Sequence, residues 1–257
     1  MEEILRIVDQ KKDDIDKARP LSPETLQSLK NDFTIRYAHE TTAIEGNTLT
    51  IYETKVVLED GITIGGKSVR EHLEVLNIRD VLKWLENVVQ KKSPVTEDAV
   101  REIHRIVMKG ILDEDAGFYR RHAVYISGAW HVPPNWIKVP QLMNEFSAWL
   151  EHGPGEDHPV VFAAKAHVEL VKIHPFIDGN GRTARLLTSL LLMRSGYPPA
   201  MYTSGSRQEY MQALDEAHMT GNLSRFVIIT AKAVEFMEDR YLNMIRQDNE
   251  AQSSTPT

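Results

Sequence analysis

Apolar residues recur along this chain at helical rather than strand-like spacing. After Ser68, the residues Val75, Ile78, Leu82, Leu85 and Val89 follow at intervals of three, four, three and four, one stripe of a helix that should face the core. Between positions 159 and 173 only Lys165, Glu169 and Lys172 form a charged stripe, the rest being mostly Val, Phe, Ala and Leu, so that helix should be buried on most sides. Residues 183–194 are more apolar still, and the two segments predict a central helix pair that holds whatever lies between them rigidly.

Helix starts are marked as clearly as helix faces. Ser/Thr-x-x-Glu patterns, in which the hydroxyl takes an unpaired amide and the glutamate reaches back, occur at Thr50 to Glu53, Ser68 to Glu71 and Ser206 to Glu209. Ser22-Pro23 and His158-Pro159 place proline at a first helical position, where its missing N–H removes no bond. Strand signals are few: residues 61–66 suggest a small turn, and residues 119–128 alternate loosely enough to predict a short hairpin or flap. No strand-helix alternation, heptad run or internal repeat is present, so the predicted class is all-α. Residues 247–257, rich in Gln, Ser and Thr, read as a disordered tail.

Charge and composition narrow the function. Thirty Lys and Arg against 37 Asp and Glu leave a formal charge of -7, without the overall cationic field that nonspecific nucleic-acid binding rests on, so no nucleic-acid partner is expected. The absence of cysteine removes disulfides, thiolate nucleophiles and cysteine-ligated metals together. The start, Met1-Glu2-Glu3, has no basic region leading into an apolar stretch of signal-peptide length. The densest apolar run, residues 186–193, is far short of the roughly 20 residues that span a bilayer. A cytoplasmic protein without a membrane partner is the expectation.

The chemistry is concentrated between the two central helices, in His174-Pro175-Phe176-Ile177-Asp178-Gly179-Asn180-Gly181-Arg182-Thr183-Ala184-Arg185. Gly179-Asn180-Gly181 lets backbone amides approach a ligand at a helix start, where unpaired amides and the positive dipole end favour an anion. Arg182 and Arg185, three apart, add two cations, and polyphosphate is the natural ligand. Asp178 offers a hard oxygen for Mg²⁺, and His174 is a general base of suitable intrinsic pKa.

Each residue alone has a plainer explanation: a hydrogen-bonded core histidine, a turn aspartate, a solvated pair of arginines. Their crowding into twelve residues favours the functional reading. Gly179-x-Gly181-x-x-Ala184 formally satisfies the dinucleotide fingerprint, but no strand precedes it and no acidic residue lies between Asp178 and Glu209. Neither a Walker A pattern nor His-Glu-x-x-His occurs.

The segment resembles the signature of Fic-domain proteins, His-x-Phe-x-Asp/Glu-Gly-Asn-Gly-Arg-x-x-Arg, at every specified position, with similarity extending over roughly residues 100–235. The resemblance implies a helical domain of six to eight helices with a β-hairpin flap, and transfer of AMP from ATP to a Ser, Thr or Tyr hydroxyl of a protein target. Carried over by position, His174 would deprotonate that hydroxyl and Asp178 would hold Mg²⁺. Gly179, Asn180 and Gly181 would cradle the α and β phosphates, Arg182 and Arg185 the distal ones, and Phe176 would anchor the loop. Related Doc kinases carry Lys at the Gly181 position, so the resemblance favours nucleotidyl transfer over phosphorylation. Tyr210 and His218 stand where relatives place adenine contacts, although His218 replaces an Asn. Val124, Tyr125 and Ile126 would belong to the flap that aligns the target by strand-like pairing.

Upstream, Thr41-x-x-x-Glu45-Gly46-Asn47 is similar to the inhibitory Ser/Thr-x-x-x-Glu-Gly/Asn motif found in or beside Fic proteins. Its plainer explanation is a helix end stopped by Gly46. In the functional one, Glu45 pairs with Arg185 and competes with the γ phosphate. The chain then divides into an N-terminal helical region (1–99) carrying this motif, a Fic core (100–235) and a C-terminal helix end with its tail (236–257). A homodimer is compatible with the resemblance. The competing functions are removal of AMP from a target and nucleotide sensing without turnover.

Overall fold

The computed structural model describes residues 1–18, 21–126 and 130–253, and every regular element among them is helical. Ten α-helices follow one another: α1 (Glu2–Lys17), α2 (Pro23–Ala43), α3 (Ile51–Glu59), α4 (Val69–Gln90), α5 (Glu97–Val107), α6 (Val139–His152), α7 (Pro159–Ile173), α8 (Asn180–Arg194), α9 (Arg207–Thr220) and α10 (Ser224–Ser253). The all-α class holds, with six helices from α5 onward and four ahead of them.

Two of the three capping boxes form. The Thr50 and Ser68 hydroxyls accept the amides of Glu53 and Glu71, whose carboxylates accept the Thr50 and Ser68 amides in return. Ser22 and His158 likewise accept an amide of their own first turn, each followed by proline. The Ser206 box does not form. Ser204–Ser206 is already wound as a 3-10 turn, Ser206 sits at φ -102°, ψ 15° rather than in the extended conformation a cap needs, and its hydroxyl bonds Thr203 instead.

The predicted α4 stripe is buried at Val75, Ile78, Leu82 and Leu85, with Val89 half-buried at its edge. α7 and α8 pack against each other more extensively than any other pair, and Leu186, Leu187, Leu190 and Leu192 of α8 have no exposure. Helix α1 lies along α10, tying the two ends of the chain together. One hydrophobic cluster runs from Leu5 to Met237 and draws on residues on both sides of position 100.

Two expectations change. Residues 118–126 form no strand, and 127–129 lie outside the described residues, so among the described residues an irregular segment with bends at 121–122 stands where the hairpin was expected, Tyr125 being 87% exposed. Its hydrogen bonds run elsewhere: the Arg120 amide donates to the Pro175 carbonyl, and the His122 carbonyl accepts the Arg120 guanidinium. Helix α10 continues to Ser253, through most of the expected tail; residues 254–257 lie outside the described ones. Among the described residues, no helix is long and apolar enough to cross a membrane.

Candidate active site

Helix α7 ends on His174, whose backbone turns into the left-handed region at φ 50°, ψ 58°, and Pro175 prevents continuation. The chain then dips into the core. Phe176 is fully buried and stacks on His104 of α5, ring centroids 3.7 Å apart and planes within 2°. His104 Nδ1 accepts the Gly117 amide at 2.9 Å, so Nε2 carries the hydrogen and donates to the Asp178 carbonyl at 3.0 Å. Burial pushes this imidazole down to about 4, and it is neutral at pH 7. Asn180 closes the loop from the other side: its amide group donates to the Phe176 carbonyl and accepts the Phe176 N–H.

Arg120, 3% exposed, braces the same loop from the flap side. Its Nε donates to the His174 carbonyl, its Nη1 to the His122 carbonyl and its Nη2 to the Pro134 carbonyl, at 2.8, 3.1 and 2.6 Å, while its own amide bonds the Pro175 carbonyl. One guanidinium therefore fixes the backbone of His174 and both ends of the flap segment.

The His174 imidazole is half-buried. Burial, aided by Arg120 and His131, pushes it down to about 4, while the Val171 carbonyl and Glu45 act in the opposite sense without offsetting it. At pH 7 it is neutral, the form that accepts a proton.

Asp178 keeps one carboxylate oxygen inward and one outward. Oδ1 accepts the Gly179 amide at 2.6 Å and Arg182 at 3.4 Å, and Oδ2 accepts Arg70 of α4 at 2.5 Å. Burial would raise its carboxyl, but Arg182, Arg70 and the Gly179 amide outweigh it and hold it below the usual range. Among the described residues no group of three or more His, Asp or Glu gathers as a metal cage. The donor set fits Mg²⁺ that shares a single carboxylate with substrate phosphates and water.

Gly179 starts α8 at φ 77°, where a Cβ would strike Met108 Sδ at 2.8 Å, and no side chain caps the first turn. The inhibitory-type motif comes to this same turn. Arg185, 1% exposed, donates from Nη2 to Glu45 Oε1 at 2.7 Å and to the Thr41 carbonyl at 2.8 Å, and from Nε to Thr41 Oγ1 at 2.7 Å. Burial alone would lower its pKa; Glu45 and Tyr210 raise it. Glu45 reaches Arg185 across Gly181, and a Cβ on Gly181 would run into its carboxylate. Thr41 to Asn47 is also a helix end, with Gly46 at φ 101°, so both explanations of that motif describe the same turn. Arg207 pins it through the Ile44 carbonyl at 2.7 Å.

Comparison with known proteins places this geometry. The Fic/DOC family model matches residues 94–192. A solved C. elegans structure, Fic-1 (residues 134–508), superposes with a TM-score of 0.88 at 34% identity over 96% of this chain and 73% of that one. This chain belongs to the Fic/DOC family. A Fic domain containing signaling protein from Bacteroides thetaiotaomicron superposes with a TM-score of 0.76 at 28% identity, covering 95% of this chain and 94% of that one. The protein adenylyltransferase Fic of Nematostella vectensis is 37% identical over 94% of this chain and 56% of its own length; that of Drosophila ananassae is 39% identical over 86% and 44%. The chain spans about half the length of these curated relatives.

Within this Fic/DOC chain, several expected residues face elsewhere. Arg182 does not join Arg185: at 2% exposure it turns inward, bonding Glu74 of α4 at 3.2 Å and Asp178, because two carboxylates lie on that side and solvent does not. Asn180 offers its backbone alone to a ligand, its side chain being engaged by Phe176. Tyr210 is 2% exposed; its hydroxyl meets His167 Nε2 at 2.8 Å and Arg185 at 3.4 Å, and the Arg185 guanidinium lies over its ring, so in this conformation it supports Arg185 rather than presenting a face to adenine. His218 stays half-buried beside His131, their rings 4.6 Å apart. Val124 and Ile126 are half-buried.

The residues that pattern reasoning passed over are His104, Arg120, Glu74 and Arg70. His104 had a signal, as a polar residue within an otherwise apolar helix face, whereas Glu74 shares its face of α4 with Arg70, Glu71 and Asn77. Arg70 had only the local i,i+4 signal of its pairing with Glu74, and the long-range partners of Arg70 and Arg120, Asp178 and the His174 and Pro134 carbonyls, leave no mark in spacing.

Proposed function

We propose that this chain transfers AMP from ATP to a hydroxyl of a protein target and is held inactive by its own Glu45. The observation that carries the reading is the Glu45–Arg185 pair lying across Gly181, at the helix start that would receive the phosphates. The adenylyltransferase names of relatives that match most of the chain support the reaction class.

In the active geometry, neutral His174 takes the proton of the target hydroxyl. The new bond joins that oxygen to the α phosphorus, and the bond from the α phosphorus to the bridging oxygen breaks, releasing pyrophosphate. The uncapped first turn of α8 receives the phosphates, and Arg185 holds them once Glu45 leaves. Asp178 would hold Mg²⁺, which would supply charge neutralisation for the phosphates. Arg182 acts one step back by orienting Asp178. The flap segment, tethered at both ends by Arg120, positions the target chain. While Glu45 holds Arg185, the γ phosphate lacks a cation and the α phosphate is not presented in line to the hydroxyl.

Removal of AMP is the second reading, favoured by one observation: the Glu45 side chain keeps 31% exposure and acts electrostatically on His174, as a carboxylate that aligns a water molecule would. Labelling of a lysate with α-labelled ATP tests both. Glu45→Gly should label itself or a target more strongly than wild type. Equal labelling, with both proteins folded and ATP-bound, would overturn the inhibited-transferase reading. A wild type that strips AMP from a target that Glu45→Gly leaves modified would put removal first.

A further inference from the structure

Asp178 is not free to meet a cation, because Arg70 already occupies its outward oxygen. Nη2 of Arg70 donates to Asp178 Oδ2 at 2.5 Å and its Nε to Glu74 Oε1 at 3.1 Å. Glu74, 7% exposed, also accepts Arg182 on that same oxygen, and Arg182 returns to Asp178 Oδ1. Two arginines and two carboxylates thus close a ring of four ion pairs whose charges cancel.

The members of the ring differ in freedom. Arg182 and Glu74 are buried, whereas the Arg70 side chain is 50% exposed and that of Asp178 39%. Arg70 can swing into solvent at small cost, and a guanidinium on Oδ2 uses the lone pairs a metal would need while placing a positive charge beside it. Glu74 keeps Arg70 close when it lets go, and through Oε2 it also takes the Asn47 amide at 2.9 Å, two residues beyond Glu45.

We propose that Arg70 is a placeholder for the metal: its guanidinium competes with the divalent cation for Asp178 and sets the cation concentration at which the site fills. It rests on the assignment of Asp178 as the metal ligand. In the unloaded protein Arg70 neutralises Asp178 and keeps it aimed; loading requires its displacement, so affinity for the cation is lower than the carboxylate alone would give. The inhibitory turn and the metal carboxylate share Glu74, so the two arms of the site are linked through one buried side chain.

Mn²⁺ binding to protein loaded with ADP, followed by calorimetry and by the electron paramagnetic resonance of free Mn²⁺, tests this without turnover. Arg70→Gln, which removes the charge from a half-exposed position, should bind Mn²⁺ about two- to tenfold more tightly than wild type, the range expected for a partly exposed charge-assisted pair. Arg70→Lys, which keeps the charge, should stay near wild type. The double variant Arg70→Gln/Asp178→Asn should lose the gain. If Asp178→Asn weakens Mn²⁺ binding while Arg70→Gln binds it no better than wild type, the placeholder role is wrong and the metal assignment stands. If Asp178→Asn leaves Mn²⁺ binding unchanged, both fall.

Discussion

Arg182 and Arg185 stand three residues apart on the first turns of one helix, are almost equally buried, and have opposite circumstances. Arg182 sits between two carboxylates, Glu74 and Asp178, on the side of α8 that faces α4. Arg185 has a single carboxylate partner, Glu45, and otherwise donates to Thr41 and Tyr210. Its counter-charge comes from a turn 140 positions away in sequence, on a side chain that keeps partial access to water. The difference teaches that the ligand-facing charge of this site depends on whose counter-ion can leave. Withdrawing Glu45 exposes a cation, whereas Arg182 belongs to the framework.

Stability separates the two most strongly. Arg182→Ala should leave Glu74 buried without its buried partner and cost about 3–5 kcal/mol, a loss measurable as a melting temperature lower by at least about 6 °C. Arg185→Ala leaves hydroxyl and carbonyl acceptors and a carboxylate that can hydrate, so its cost should be nearer 1–3 kcal/mol, while it removes the proposed phosphate contact. Equal losses for the two variants, by calorimetry, would break the contrast.

Release of Arg185 comes next in size. A charge-assisted pair contributes about 1.5–3 kcal/mol, so Glu45→Gly should raise AMP transfer about ten- to a hundredfold, Glu45→Gln less, and Glu45→Asp little if the shorter side chain still reaches. Glu74→Gln, on the framework side, should lower stability and give no such rise. Gly181→Ala then sharpens the geometry. Its Cβ would push the Glu45 carboxylate off Arg185, so adding Glu45→Gly in that background should raise transfer by a smaller factor than in wild type. An undiminished factor would show that Gly181 and Glu45 act independently.

Acid stability offers a further test. His104 and His174 are held at about 4 in the fold against 6.5 when exposed, so between those values the unfolded chain binds more protons than the native one. Their contribution is fully present above about pH 6.5 and is lost as pH falls toward 4. Asp178, held below the ordinary carboxylate range, keeps its ion pairs through that window. Melting followed from pH 7.5 to 5 should show a decline, which His104→Gln should make shallower while His174, His167 and His218, also held low by burial, keep the remainder; an equal slope in that variant would remove His104 from the account.

Much of the fold could be read from the chain because its signals are local. The α4 stripe, the boxes at Thr50 and Ser68 and the apolar pair α7 and α8 depend on residues within a few turns of one another. The Ser206 box failed for the same reason that the others succeeded, since a pattern of four residues carries no record of the 3-10 turn that already engages the serine with Thr203. The loop was legible as a cluster of polar side chains, but which partner each would take was not. Spacing treats Arg182 and Arg185 alike, and only α2 and α4, each arriving from more than 100 positions away, tell them apart. Tyr210 shows the same limit: the resemblance places it among adenine contacts, and spacing carries no record of the Arg185 guanidinium that lies over its ring.

The left-handed backbone of His174 has a bearing on how the site should be silenced in the laboratory. For a residue with a Cβ that conformation costs about 1–2 kcal/mol, a cost the surrounding loop imposes on whatever stands there. Alanine would keep the cost and remove the ring; valine or isoleucine would add to it and risk unwinding the end of α7. Asparagine tolerates this region better than most side chains, and glycine is free of the cost altogether. If His174 is the base proposed above, His174→Asn and His174→Gly are therefore the pair of variants in which a loss of turnover is least entangled with a loss of shape.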